Sequence, residues 1–130
     1  MKTIKVTGAI IQNDNNFLIG RRGRDEKSAG MWEFPGGKLE KGESPKECIK
    51  RELKEELNID AAIGELFFSY TYNYPHVSYE LYFFKVNSYF GEPVKSVHDK
   101  LKWEKLKNFY KNNFLPGDGP LIDKLVSEAN

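Results

Sequence analysis

The chain has 130 residues, 39% hydrophobic and 14% aromatic, which suits one ordinary core and excludes general disorder. Twenty Lys and Arg against 19 Asp and Glu leave a net charge of +1, excluding a nucleic-acid coat or a polybasic membrane binder. The one cysteine, Cys48, excludes an intramolecular disulfide framework, and no stretch approaches the roughly 18 apolar residues of a membrane span. A single cytoplasmic domain over 1–130 is expected.

Residues 3–12 are β-branched and apolar, and Asn13-Asp14-Asn15-Asn16 supplies turn chemistry before Phe17-Leu18-Ile19, so a hairpin is predicted. Residues 20–30 form a glycine-rich, charged loop, and a short strand Met31–Phe34 stops at Pro35 and Gly36-Gly37. At Ser44-Pro45-Lys46-Glu47 the period changes: an N-cap serine, proline at the first helical position and glutamate at the third make a capping box. Ile49, Leu53 and Leu57 then recur at helical spacing, which predicts a helix over 45–57 ending at a left-handed Asn58. The aromatic stretch 65–90, punctuated at 73–78, reads as a second hairpin. A strand over 101–106, a weak helical turn over 108–114 and a last helix over about 119–128 complete the chain, with Leu121, Ile122, Leu125 and Val126 inward. This order describes an α+β domain, an α/β/α sandwich with a mixed sheet between helices.

The central helix carries the most informative cluster. Glu52, Glu55 and Glu56 fall within roughly one third of its circumference, beside the apolar stripe. Glu52 and Glu56 have no basic residue three or four positions away. Like charges so placed destabilise a helix. They make either a solvated acidic face served by another element or a site for a hard divalent cation. The cluster follows a Gly-Gly turn, where backbone and phosphate can approach closely.

Those residues carry a resemblance. Gly37, five residues, Glu43, seven residues, then Arg51-Glu52-Leu53-Lys54-Glu55-Glu56-Leu57-Asn58-Ile59 resembles the Nudix box, over about 37–59, with Asn58 where glycine is usual. Trp32–Lys38, Arg21-Arg22, Tyr74-Pro75 and Phe114–Pro120 extend it to the MutT-type nucleoside triphosphate pyrophosphohydrolases. The resemblance implies the Nudix fold and hydrolysis dependent on a divalent cation, Mg²⁺ or Mn²⁺. Water would attack the β-phosphorus to give a nucleoside monophosphate and pyrophosphate. It further implies that Glu52, Glu55, Glu56 and the Gly36 carbonyl hold metal, and that Glu52 deprotonates the water. Arg51 would orient the carboxylates, Lys38 would steady phosphate oxygens, and Glu43 would serve as helix-entry charge or support. The family often has a glutamate at the position of Val97. Here that ligand is dispensable, or Asp99 or His98 replaces it; otherwise His98 is a plain loop histidine.

Arg22, Phe34, Tyr74 and Asp118 match positions that line the nucleotide pocket in MutT-like enzymes, with Lys27, Glu33 and Pro35 as further contacts. Phe34 and Tyr74 also suit core aromatics, and Asp118 also suits the N-cap of the last helix. An ionised aspartate only accepts hydrogen bonds, which fits an exocyclic amino group such as cytosine N4, so (d)CTP-like substrates and 8-oxo-dGTP both stay open. An ADP-sugar or dinucleoside polyphosphate hydrolase is the alternative within enzymes. A non-catalytic nucleotide-binding Nudix module is the alternative outside them, disfavoured because all three glutamates are present. The expected partner is a small-molecule nucleotide, with no stable nucleic acid and no membrane, on a monomer or homodimer.

Overall fold

The computed structural model describes residues 2–129. Strand β1 (Lys2–Ile10) runs parallel to β7 (Val77–Phe90), from Lys2↔Val77 to Ile10↔Lys85. On its other edge β1 meets β5 (Gly36–Lys38) antiparallel, with Thr7 opposite Gly37. Strand β6 (Asp60–Tyr74) pairs antiparallel with β7, so the order β5-β1-β7-β6 makes a mixed sheet. The predicted second hairpin is present, with strands longer than the aromatic stretch alone.

The predicted first hairpin needs correction. Most of β1 belongs to the mixed sheet, and only β2 (Gln12–Asn13) folds back on β3 (Asn16–Arg22). The chain changes sheets at Ile11, whose carbonyl accepts from Leu18 N–H while Ala9 N–H donates to the Pro35 carbonyl. Local turn chemistry finds the bend but not the parallel partner, which lies some 70 residues along the chain. Strand β3 also pairs with β4 (Trp32–Glu33) and β8 (His98–Lys105), completing a second, antiparallel sheet.

Helix α1 (Pro45–Leu57) begins and ends as its sequence dictates. Ser44 Oγ accepts from Glu47 N–H, the Glu47 carboxylate accepts from Ser44 N–H, and Asn58 closes the helix at φ 56°. The second helix, α2 (Gly119–Ala129), follows a 3₁₀ turn over Pro116–Asp118. Leu121, Ile122 and Leu125 are buried, and Val126 packs at the edge of the same core. The weak helical turn is a 3₁₀ segment, Leu106–Lys111.

Alternation along the strands sends neighbours to opposite faces. Ala9, Ile11 and Phe84 join Ile49, Leu53 and Leu57 of α1 in one core. Ile10 and Phe83 join Phe34, Phe109 and the apolar face of α2 in the other. The mixed sheet is thus covered by a helix on each side, as the expected α/β/α layering requires. Among the described residues no helix is long and apolar enough to cross a membrane.

Candidate active site

One cleft of about 1040 Å³ runs along this sheet. At one end α1 presents Glu52, Glu55 and Glu56 beside Gly36, Gly37 and Lys38; at the other lie Phe34, Tyr74 and Asp118. Arg22, Glu26, Lys27 and Glu33 line it between them, together with Val97 and His98. Of the residues singled out in the sequence, Pro35, Glu43, Arg51 and Asp99 do not line the cleft; Pro35 is fully buried and its carbonyl accepts from Ala9 N–H.

The glutamate end rests on the seating of α1 under β5. Position 36 must be glycine, because a Cβ there would lie 1.9 Å from the Thr7 carbonyl oxygen, and a Cβ at 37 would push aside the Glu52 carboxyl, whose carbon would lie 2.4 Å away. Arg51 is the organising cation. Its Nε donates to Glu43 Oε2 at 2.6 Å, and its Nη1 donates to Glu52 Oε1 at 2.8 Å and Glu55 Oε2 at 2.9 Å. Arg51 holds the Glu43 carboxyl down at about 2, and the paired carboxylates raise Arg51 in turn. Glu52 therefore has a cationic neighbour that a search at helical spacing overlooks, since adjacent residues do not ordinarily face each other. A long guanidinium reaches sideways across that gap.

Glu56 is different. It is buried, its Oε2 accepts from Gly36 N–H at 3.1 Å, and no cationic side chain pairs with it among the described residues. Burial first, then Glu52 and Glu33, push its pKa up to about 9; burial also raises Glu52. Among the described residues no three acidic, histidine or cysteine side chains are drawn together as a ready cation cage. Gly36 meets Glu56 through its N–H, a contact separate from the metal bond expected of its carbonyl. The donor chemistry nevertheless fits a hard divalent ion: carboxylate oxygens throughout, including one buried carboxylate unopposed by a cation. Such an ion takes only one or two protein carboxylates and fills its shell with water and phosphate.

The Phe34–Tyr74–Asp118 end is assembled from distant segments. Asp118 Oδ2 accepts from Phe34 N–H at 3.1 Å, so its carboxylate holds the β4–β5 connection. Its described hydrogen bond thus goes to that connection instead of capping α2. Burial, reinforced by Glu33, pushes the Asp118 carboxyl up to about 7. Phe34 is both core and wall: it is buried, packs on Phe83 and Phe109, and still lines the cleft. Two tyrosines fasten the 116–118 turn to β6. Tyr70 OH donates to the Gly117 carbonyl at 2.6 Å, and Gly117 N–H donates to Tyr74 OH at 3.0 Å. Tyr70 had no distinguishing signal in a stretch full of aromatics.

The 97–99 segment settles into three different environments. Val97 lies on the cleft, and Asp99 turns to Arg21, whose Nε donates to Oδ1 at 2.8 Å. Asp99 does not line the cleft. His98 is buried at the start of β8 and bonds Glu33 Oε2 through Nε2 at 2.9 Å. The plain loop histidine is therefore a correction: β8 begins earlier than the apolar pattern indicates, because its pairing with β3 continues through a bulge to Arg22↔His98.

A mixed sheet between two helices, with a carboxylate-rich helix beside a Gly-Gly turn, is an arrangement shared with a known family. The NUDIX domain matches residues 2–125, and the chain belongs to the Nudix family; it is a Nudix hydrolase. Hydrolases of this family generally require divalent cations. The chain is 36% identical over 126 residues to an Escherichia coli K12 protein named 8-oxo-dGTP diphosphatase, covering 96% of this chain and 98% of that one. It is 33% identical over 127 residues to the CTP pyrophosphohydrolase of the same organism, covering 98% and 94%. The solution structure of the E. coli ORF135 protein superposes with a TM-score of 0.87 at 33% identity, over 98% of this chain and 91% of that one.

Proposed function

We propose that this hydrolase cleaves nucleoside triphosphates to a nucleoside monophosphate and pyrophosphate, by attack of water at the β-phosphorus, with Mg²⁺ or Mn²⁺. The observation that carries this reading is the single cleft joining the glutamates of α1 to the Phe34–Tyr74–Asp118 end. In this reading the polyphosphate lies along the glutamates and the base against Phe34, Tyr74 and Asp118.

Glu52 takes the proton from the attacking water. Its pKa is raised by burial, which makes it a stronger base than an exposed glutamate, while Arg51 fixes one of its oxygens. Glu52, Glu55, Glu56 and Gly36 would hold the divalent ion, which when bound compensates the carboxylates and stabilises charge on the phosphate oxygens. Lys38 lines the cleft with no ion pair among the described residues, free to meet phosphate. Arg22 and Lys27 flank the path toward the base. Cys48, a buried free thiol, suits a reducing compartment such as the cytoplasm.

Asp118 sets the base preference. One of its oxygens is engaged by Phe34 N–H, and the other is left to read the base edge. Ionised, it accepts from an exocyclic amino group, favouring cytosine; protonated, it donates, favouring the carbonyl edge of an oxidised guanine. With the carboxyl at about 7, the ratio of (d)CTP to 8-oxo-dGTP efficiency rises as pH increases through neutrality. Pyrophosphate release from a panel of triphosphates, with ADP-ribose and a dinucleoside polyphosphate as competitors, tests both claims. In Asp118→Asn the ratio becomes flat with pH. A panel in which no triphosphate yields pyrophosphate defeats the reaction; an unchanged ratio in Asp118→Asn removes Asp118 from base reading.

A further inference from the structure

A chain of hydrogen bonds leads to Arg22 from His98, a residue that no step above uses. His98 Nε2 meets Glu33 Oε2 at 2.9 Å, and because a carboxylate only accepts, Nε2 is the donor. Arg22 Nη1 donates to the other Glu33 oxygen at 3.0 Å. Arg22 then reaches the loop beyond it: Nε donates to the Lys27 carbonyl at 2.5 Å, and Nη2 lies 3.6 Å from Glu26 Oε2. The relay thus begins on β8, crosses β4 and β3, and ends on the 23–30 segment that walls the cleft.

Two further observations single out the imidazole. His98 Nδ1 is buried and has no hydrogen-bond partner among the described residues, so the bond to Glu33 is the one the ring makes among them. The chain also leaves room for the ring. A Cβ on Gly20, opposite Glu33 in β3, would sit 2.6 Å from two ring carbons of His98. Glycine inside a strand is unfavourable unless something must approach closely, and here it is the imidazole. Glu33 is thus the acceptor that His98 and Arg22 share, one on each carboxylate oxygen.

We propose that His98 is a positioning residue for nucleotide binding: through Glu33 it fixes Arg22 and, through Arg22, the 23–30 wall of the cleft. The inference rests on the nucleotide reading above and adds a residue to it. His98 does not touch the reacting atoms, and the carboxylates of α1 stay in place without it. Removing its donor therefore weakens binding and spares the chemical step.

The experiment measures KM and kcat for pyrophosphate release from CTP. It also measures Kd for a CTP analogue with a methylene bridge between the α- and β-phosphorus, in Mg²⁺. His98→Phe keeps a buried ring and loses the donor; Kd and KM rise about tenfold or more, the worth of one hydrogen bond to a charged group, with kcat within about threefold. His98→Gln, which restores a donor, recovers most of the affinity. Gly20→Ala, which displaces the ring, moves Kd in the same direction as His98→Phe. Combined with Glu33→Gln, His98→Phe adds little, since both cut one link. Should His98→Phe fail to fold, Glu33→Gln alone must still raise Kd. A folded His98→Phe with Kd and KM within about twofold of the wild type overturns the proposal, as does His98→Gln no better than His98→Phe. Wild-type protein that binds the analogue but releases no pyrophosphate defeats the hydrolytic reading and leaves this one to be decided by the Kd values; protein that binds no nucleotide defeats both.

Discussion

The two ends of the cleft are built by different means. At the glutamate end, one helix and the turn before it supply every carboxylate, and the tie between Gly36 and Glu56 spans only 20 positions. At the base end, Phe34 is held by Asp118 across 84 positions, and Gly117 by Tyr74 across 43. The first is local and highly charged, with Arg51 paired at once to Glu40, Glu43, Glu52 and Glu55. The second is mostly aromatic, with one buried carboxyl. Catalysis by differential charge stabilisation needs a fixed cluster of donors, whereas discrimination between bases needs walls that can vary independently. Hydrolytic chemistry and base choice can therefore change separately in this fold.

The sharpest way to break that comparison is at Glu52. Glu52→Gln keeps the size and the bond from Arg51 but loses the base, so kcat should fall roughly 10²–10⁴-fold. The relative order of substrates should stay as it is, because the base end is untouched. Steady-state kinetics across the triphosphate panel read both quantities. Near-normal turnover would remove Glu52 from proton transfer, and a reordered panel would show that the two ends are not independent.

A smaller effect tests the charge burden at the same end. Glu56 has a folded-state pKa of about 9 against an ordinary 4.5, raised chiefly by burial. The folded protein thus holds a proton that the unfolded chain has released over that window. The contribution of Glu56 to stability consequently falls as pH rises from about 4.5 toward about 9, by at most about 1.4 kcal/mol per pH unit, and Asp118, raised to about 7, adds a slope of the same sign below neutrality. Glu56→Gln carries no charge to be buried. Without divalent ion at pH 8 it should unfold at a higher temperature than the wild type, with the gap closing toward pH 5. Added Mg²⁺ should stabilise the wild type more than the variant. Thermal melts across pH, with and without Mg²⁺, check this, and equal slopes in the two proteins would show that Glu56 is already compensated within the fold.

The same contrast explains what could be read in the sequence. Helix α1, its capping box, its left-handed end and its apolar stripe are all written in residues at most a few positions apart, and each is found where the pattern puts it. The second hairpin and last helix follow for the same reason. The first hairpin does not, because β1 takes a parallel partner in β7 that no local signal announces. At the site, three glutamates on one helix face announce themselves, but Arg51 as their shared partner depends on a side chain reaching between adjacent positions. The link from Asp118 to the Phe34 backbone depends on two segments meeting only in the folded chain. His98 was hidden twice: it precedes the apolar run that marks its strand, and its counterpart, Gly20, reads as a loop residue until β3 is seen to continue to Arg22.

The smallest expected effect concerns Asn58, where the sequence departs from the family pattern within the box of α1. Asn58 sits at φ 56° and ψ 40°, and its N–H reaches the carbonyls of Leu53 and Lys54. Asparagine tolerates this left-handed geometry better than other side-chain-bearing residues, though less easily than glycine. Asn58→Gly would relieve that residual strain in the folded state and loosen the unfolded chain, two effects of opposite sign. Stability should therefore change by less than about 1 kcal/mol in either direction. The helix is also held from within, since Leu53, Leu57 and Ile59 are fully buried around its last turn, and Glu56 keeps its bond from Gly36. kcat should then match the wild type within about twofold, as a melt and a single-substrate assay would show. A tenfold loss of turnover with stability intact would mean that the cap steers Glu56, making the carboxylate cluster a product of how the helix ends as much as of where its core packs.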